Sequence, residues 1–456
     1  MNILLTLSLL GVITLFSEIF NFRKIIFPII IAGLVGAGAL CVINWNTNEV
    51  LYNMSTIDNY SLAFTFLLVF ITTCWFLLSY NYYKDENSIV DKYSLILFSL
   101  AGAFVMTSYT NLSMLFIGIE MLSIPLYVLA GSNKSDRVSS EAAFKYFLMG
   151  AFATGFLLFG IAFIYGSTGT FDLLKLNQII VSNGGRVPNI LLSGIILMFV
   201  GLCFKIAAVP FHFWAPDVYQ GSPTIVTAFM ATIIKTAAIA AFYRLFKIGF
   251  LGLNSSIETI ILIVIAVSLI LGNFLAVYQT NVKRLLAYSS ISHAGFMLIG
   301  ILIVKQMNSA SVMLYYTSAY AIASLITFFI LQIISKGGED IGSFNGLISR
   351  NPLLSVIMTV ALLSLAGIPP FSGFFGKYFM FVGAITDGYL WIIILAVLAS
   401  LVGVVYYFKI IIAIFAKPSI DNQEITVSGV QSTVLVFLAI LLLMMGILPG
   451  WIVGLI

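Results

Sequence analysis

The chain has 456 residues, 61% of them hydrophobic and 8% charged, with a formal net charge of +4. Soluble globular proteins carry about a quarter charged residues, so this composition excludes a soluble fold. The small net charge, with no block of basic residues, excludes a nucleic-acid surface. Cys41, Cys74 and Cys203 all lie in apolar runs without metal-ligand spacing, which predicts buried packing and no disulfide.

The expectation is an all-α polytopic membrane protein. Apolar runs long enough to cross about 30 Å of hydrocarbon at about 1.5 Å per residue number fourteen. They fall near 2–20, 25–45, 61–80, 92–108, 111–131, 141–167, 189–219, 222–246, 256–278, 285–304, 309–335, 352–387, 389–416 and 431–452. The first lacks a basic start and a small-residue cleavage site, and so reads as a retained span. The seventh and twelfth are too long for one straight crossing. Each carries prolines, Pro210 in one and Pro369 with Pro370 in the other, and each is expected to be two half-helices with a non-helical link.

Loop charges set the expected orientation. With the N-terminus outside, eleven basic residues, Lys283, Arg284 and Lys336 among them, fall to the cytoplasmic side. Five, Lys175, Arg186, Arg244, Lys247 and Lys305, fall to the other, so both termini are expected to be periplasmic. The remaining basic residues, Lys145, Lys205, Lys235, Lys377 and Lys409, lie within spans. Lys409 is near enough to an end to snorkel. Lys145 is four residues after Glu141, close enough to pair on one helix face.

Lys205, Lys235 and Lys377 are deep. An intramembrane lysine costs roughly 2.5 to 3.5 kcal/mol on insertion scales and is a functional candidate by default. Glu120 is the one acid clearly at similar depth, so at least some of these lysines are expected to be neutral part of the time, as proton carriers must be. At an effective dielectric near 20, charges about 8 Å apart interact by roughly 2 kcal/mol, enough to switch a lysine's proton occupancy. Glu120 is the expected modulating acid, with Lys205 as its partner, Lys235 next and Lys377 nearest an exit. Glu120 precedes Pro125 by five residues, as Lys205 precedes Pro210, and each proline is expected to interrupt the helix hydrogen bonding beside the charge.

His212 suits proton relay by its near-neutral titration, and equally a structural hydrogen bond. His293, beside Ser289, Ser290 and Ser292, reads either as a relay or as a packed polar cluster. In LAGIPPFSGFFGKYFMF the glycines and prolines precede Lys377, making a second broken helix with a lysine beside the break. Two such elements suggest an internal repeat. The expected domains are an N-terminal three-helix segment 1–91, five-helix repeats at 92–247 and 256–416, and a C-terminal helix 417–456. An odd number of crossings per repeat makes the second inverted.

The segments LFIGIEMLSIPLYVL, EAAFKYFLMGAF, KIAAVPFHFWAPDVYQGSPT and KRLLAYSSISHAGFMLIG together resemble the antiporter-like membrane subunits of respiratory complex I, over nearly the whole chain. Within that family, FKYFLMGAF and DVYQGSPT are similar to the N-type branch, the bacterial counterparts of mitochondrial subunit 2. The resemblance implies a membrane-arm subunit of a proton-pumping NADH:quinone oxidoreductase in the bacterial inner membrane. It would hold no redox cofactor of its own, with NADH, FMN, iron-sulfur clusters and quinone in partner subunits, including sibling antiporter-like ones nearby. It carries the modulating acid onto Glu120, the central lysines onto Lys205 and Lys235, the exit lysine onto Lys377, an accessory lysine onto Lys145 and a histidine after the first break onto His212. Only one span follows residue 430, so the long lateral helix of the largest sibling is not expected.

Three functions compete. Redox-driven proton translocation requires electron transfer elsewhere, since no glycine fingerprint or cysteine cluster is present. A cation/proton antiporter would use the same charges, but a sodium site wants several oxygen ligands, and Glu120 alone at depth speaks against one. The third is a purely structural subunit that retains these polar residues.

Overall fold

The structure is a computed structural model that describes residues 1–20, 22–84, 86, 88–185, 187–252, 255–334, 338–419 and 424–455. It is overwhelmingly helical. In chain order come α1 (Asn2–Phe16), α2 (Ile26–Ile43), the antiparallel pair β1 (Glu49–Leu51) and β2 (Ser55–Ile57), α3 (Asn59–Tyr83), α4 (Ile89–Ser108), α5 (Leu112–Ala130), α6 (Arg137–Thr168) and α7 (Leu173–Ser182). Then follow α8 (Asn189–Ile206), α9 (Trp214–Gly221), α10 (Thr224–Phe229), α11 (Lys235–Arg244), α12 (Ser255–Val277), α13 (Val282–Leu302) and α14 (Ser309–Ile334). The last are α15 (Leu347–Arg350), α16 (Pro352–Ala366), α17 (Ser372–Thr386), α18 (Leu390–Ala416), α19 (Gly429–Ile447) and α20 (Gly450–Val453). α10 and α11 belong to one continuous helical stretch, Thr224–Gly249, in which Met230–Ile234 and Leu245–Gly249 are wound as π-helix.

Among the described residues, twelve helices are long and apolar enough to cross a membrane by length and composition. Asn2–Phe16 and Pro352–Ala366 are apolar but shorter, as is the ten-residue α7. The chain falls into two compact units. One comprises Met1–Ile206 with Ile233–Thr259, the other Ala207–Thr232 with Ile260–Leu455.

In the first unit α6 and α8 cross at glycines. A Cβ on Gly160 would stand 2.6 Å from the Gly194 carbonyl oxygen, and one on Gly194 would stand 2.8 Å from that of Gly160. Small residues are the usual means of bringing membrane helices this close, because packing replaces the missing hydrophobic drive. Pro125, expected to interrupt its helix, instead lies inside α5, which runs unbroken from Leu112 to Ala130. A proline removes one helix hydrogen bond, here the one to the Met121 carbonyl, without ending the helix, a loss that is tolerated within a packed membrane bundle.

Two charges allotted to loops also prove buried. Lys283 lies in α13 and is 3% exposed, and Arg244 lies in α11 at 2%. Arg244 clamps the ends of several elements: it meets both Asp58 carboxylate oxygens at 3.0 Å, the Tyr109 carbonyl at 2.8 Å and the Thr56 carbonyl at 3.3 Å. Asp58 is itself the N-cap of α3, with a reciprocal bond to Ser61. Its partner was invisible to hydropathy because the acid lies outside the apolar runs. Arg186 and Lys336, both used to set orientation, lie outside the described residues.

In the second unit, α13 and α14 are buried along almost their whole length, and α16, α17 and α19 pack around α14. Residues 207–213 link α8 to α9 and residues 367–371 link α16 to α17. The Val209–Pro210 and Pro369–Pro370 peptide bonds are cis.

Removing Asp58 strands the Arg244 charge. Asp58→Ala is expected to destabilise the protein by about 3 kcal/mol, the lower end for breaking a buried pair because the aspartate is partly exposed. Thermal unfolding in detergent reads this directly, and an unshifted midpoint would mean the clamp contributes nothing.

Candidate functional site

In the first unit the polar cluster forms where α8 ends. Lys205 occupies its last turn, 3% exposed. Its Nζ donates to Ser123 Oγ at 2.8 Å and to the Tyr127 hydroxyl at 3.2 Å, with the Tyr127 ring centroid 5.7 Å away. Ser123 and Tyr127 stand three and seven residues after Glu120, which puts all three on one stripe of α5. The lysine does not pair with Glu120, and the acid makes no ion pair among the described residues. Glu120 is half-buried, and its Oε1 is buried without a hydrogen-bond partner. Exposed Ile117 and Ile124 flank it on the outward side of the helix.

Lys235 is 2% exposed and opens α11, directly after the π-helical Met230–Ile234. A π segment widens the helix by one residue per turn and commonly marks functional positions. Beside it, the Thr236 hydroxyl is buried without a partner, whereas Thr232 donates to the Ala228 carbonyl at 2.8 Å. Lys145 behaves differently. It pairs with Glu141 Oε1 at 2.8 Å, with the two side chains 40% and 62% exposed.

In the second unit, Lys377 is 6% exposed, its Nζ 3.1 Å from the Ala366 carbonyl, 3.4 Å from Ser400 Oγ and 4.5 Å above the Phe296 ring. The carbonyl is the end of α16, so the charge sits at the negative end of a helix. Gly367, with φ +81°, lets the chain turn there, and a Cβ on it would stand 3.0 Å from Lys377 Nζ. Ala207, just after α8, takes the same left-handed turn with φ +57°. Both residues lie three before a proline, Pro370 and Pro210.

His293 is held between two tyrosines. Its Nδ1 is 2.7 Å from the Tyr316 hydroxyl and its Nε2 is 3.2 Å from that of Tyr407, which also hydrogen-bonds Ser289. Nearby, Asn273 accepts from Tyr406 at 3.1 Å and donates to Ser292 Oγ at 2.7 Å. His212 lies in the 207–213 link, 5% exposed, with Nδ1 buried and unpartnered and its ring tilted against that of Phe213, the centroids 4.4 Å apart. The hydroxyl partners Ser123, Tyr127, Tyr316 and Tyr407 were not singled out from the sequence. For the first two, their helical spacing from Glu120 was the available signal; the tyrosines of the second unit read as ordinary aromatic core. Among the described residues, no group of three His, Cys, Asp or Glu side chains is placed to hold a metal.

Residues 110–403 match the family described as NADH:quinone oxidoreductase/Mrp antiporter, TM. The chain is 44% identical over 454 residues to NADH-quinone oxidoreductase subunit N of Flavobacterium psychrophilum, covering 99% of each chain. It is 41% identical over 453 residues to the protein of that name from Cytophaga hutchinsonii, covering 98% of each. Among solved structures it is similar to a chain of respiratory complex I from Thermus thermophilus with bound aureothin, with a TM-score of 0.86, 32% identity, and coverage of 99% of this chain and 98% of that one.

Gly367→Ala places a methyl against the Lys377 amine and forces a left-handed alanine, a strain of about 1 to 2 kcal/mol. A fall in thermal stability of that order is expected, and an unchanged melting temperature would show that the turn relaxes.

Proposed function

This chain belongs to the NADH:quinone oxidoreductase/Mrp antiporter transmembrane family, and on that premise we propose that it translocates protons in the membrane arm of an NADH:quinone oxidoreductase. The observation that carries the mechanism is the setting of Lys205: a buried amine on two neutral hydroxyls, with an unpartnered carboxylate oxygen one turn earlier along α5. A fixed ion pair would lock the lysine in its charged form. Serine and tyrosine hydroxyls accept from an ammonium and donate to a neutral amine, so both protonation states are accommodated. The charge on Glu120 then decides which one is favoured.

The same logic supports His293 as a relay. Each ring nitrogen faces a hydroxyl that can donate or accept, so a proton taken at one nitrogen can leave from the other with the tyrosines reversing their roles. Lys377, on one carbonyl and one serine, is the proposed exit-side carrier, and Lys235 the central one beside its π segment. Lys145 and His212 are accessory members. The proton thus moves by way of Glu120, Lys205 and Lys235 and then His293 and Lys377. The breaks near Pro210 and near Pro369 and Pro370 interrupt the seventh and twelfth of about fourteen crossings.

The left-handed residue three before each proline, Ala207 and Gly367, supports two inverted repeats at 92–247 and 256–416. Removing buried Arg244 and Lys283 from the loop charges leaves ten against four, which still supports periplasmic termini in a bacterial inner membrane. Partner membrane subunits, siblings among them, adjoin the chain. NADH, FMN, iron-sulfur clusters and quinone belong to other subunits of the assembly, whose quinone reduction drives the transfer.

Lys205→Ala, Lys235→Ala and Glu120→Ala in the assembled complex are each expected to lower proton pumping by about a hundredfold or more, the lower end of the range for losing a proton-transfer group. NADH oxidation with an artificial acceptor should stay intact. Full pumping by all three with normal assembly would sink the relay. Replacing sodium by choline should leave pumping unchanged; a strict sodium requirement would instead favour cation exchange.

A further inference from the structure

The tail DVYQGSPT has no part in the relay, yet α9 and the link after it carry a second charged system within the second unit. Two adjacent residues at the start of α13 grip this segment. Arg284 Nη1 meets Asp217 Oδ1 at 2.8 Å and Gln220 Oε1 at 3.0 Å, so it holds the side of α9 from its first turn onward. Lys283, 3% exposed, donates from Nζ to the carbonyl of Ser222, the C-cap of α9, at 2.9 Å. The same Nζ pairs with Glu339 at 2.7 Å.

Glu339 in turn accepts from the Thr224 hydroxyl at 3.3 Å, the first residue of the 26-residue helical stretch Thr224–Gly249. Its backbone is fixed as well. The Glu339 carbonyl accepts from Val282 N at 2.8 Å, and the Ile341 N–H donates to the Thr280 carbonyl at 2.9 Å, with Asn281 and Asp340 bridged between them. The carboxylate is therefore presented by a pinned two-sided bridge beside the lysine that it pairs with.

The polarity of this arrangement is specific. A helix ends in unsatisfied carbonyls with partial negative charge and begins with unsatisfied N–H groups with partial positive charge. The cation stands at the end of α9 and the anion at the beginning of the next helix, two residues further along the chain. Each charge matches the terminus it touches, and the two match each other. The following helix carries Lys235 eleven residues on, about three turns away.

We propose that Lys283 and Glu339 form a dipole-matched clasp that fixes the joint between α9 and the Thr224–Gly249 helix, making them positioning residues for Lys235. The assignment rests on the relay role proposed for Lys235. Release of the joint would let the helix start rotate or slide, and Lys235 would lose its register while remaining chemically intact.

The test uses the assembled complex in inverted membrane vesicles, measuring protons pumped per NADH oxidised, artificial-acceptor NADH oxidation, and assembly on native gels. Lys283→Met and Glu339→Gln are each expected to lower the pumping ratio by about threefold, in line with one mismatched helix-terminal charge, with artificial-acceptor oxidation unchanged. Lys283→Arg, which keeps the charge and its donors, should retain the ratio. The exchange Lys283→Glu with Glu339→Lys restores an ion pair but turns a carboxylate onto the carbonyl end of α9, and should stay as low as the single variants. Wild-type pumping in the singles, or its recovery in the exchange, overturns the clasp. Should the singles fail to assemble, assembly of Lys283→Arg together with failure of the exchange supports it, and assembly of the exchange overturns it. Lys235→Ala in parallel separates the two ideas: normal pumping there defeats the relay itself, whereas its loss beside normally pumping clasp variants defeats the clasp alone.

Discussion

A polar group in an apolar segment must find its partner inside the protein, because no water is there to supply one. Much of this structure follows from where that requirement is met and where it is left open. At the end of α8 the chain leaves the helix beside Lys205, and at the end of α16 it does so beside Lys377. In the second case the lysine bonds the terminal carbonyl region directly. In the first it turns instead to hydroxyls on α5. A lysine at a helix end is favoured electrostatically, so placing the charge beside the break lowers the penalty of both.

The other buried charges divide by the chemistry of their partners. Arg244 and Lys283 each have a carboxylate and backbone carbonyls. Such pairs hold elements in place, since removing one member leaves an uncompensated charge. Lys205 and His293 are bonded to neutral hydroxyls. Hydroxyls do not fix a protonation state, and that difference separates groups suited to move a proton from groups suited to anchor a helix. Glu120 belongs to neither class in this structure, its Oε1 buried and without a partner. An acceptor left in that condition is poised to respond to a small displacement of a nearby donor.

The apolar runs located nearly every long helix, because the requirement for about 20 apolar residues per crossing is written in composition. The breaks near Pro210 and Pro370 were equally legible, proline being unable to complete a helix. Pro125 misled because a helix packed within a bundle can lose one hydrogen bond and still continue, so the local rule does not by itself end α5. The short hairpin and α7 went unnoticed, being too brief to register as spans. Arg244 and Lys283 were taken for loop charges because their acids, Asp58 and Glu339, are 186 and 56 residues away in sequence and outside the apolar runs.

The sequence by itself determined that this is a polytopic helical membrane protein, that Lys205, Lys235, Lys377 and Glu120 lie within apolar runs, and that prolines fall close to Lys205 and Lys377. Those conclusions depend on composition and on local steric rules, which a chain carries whatever its fold. Only the tertiary structure decided that Lys205 meets Ser123 and Tyr127 instead of Glu120, that His293 stands between two tyrosines, and that the KR pair at the start of α13 grips the DVYQGSPT tail. Each of these joins residues from different helices, and the choice of partner depends on which faces the packing brings within about 3 Å of one another.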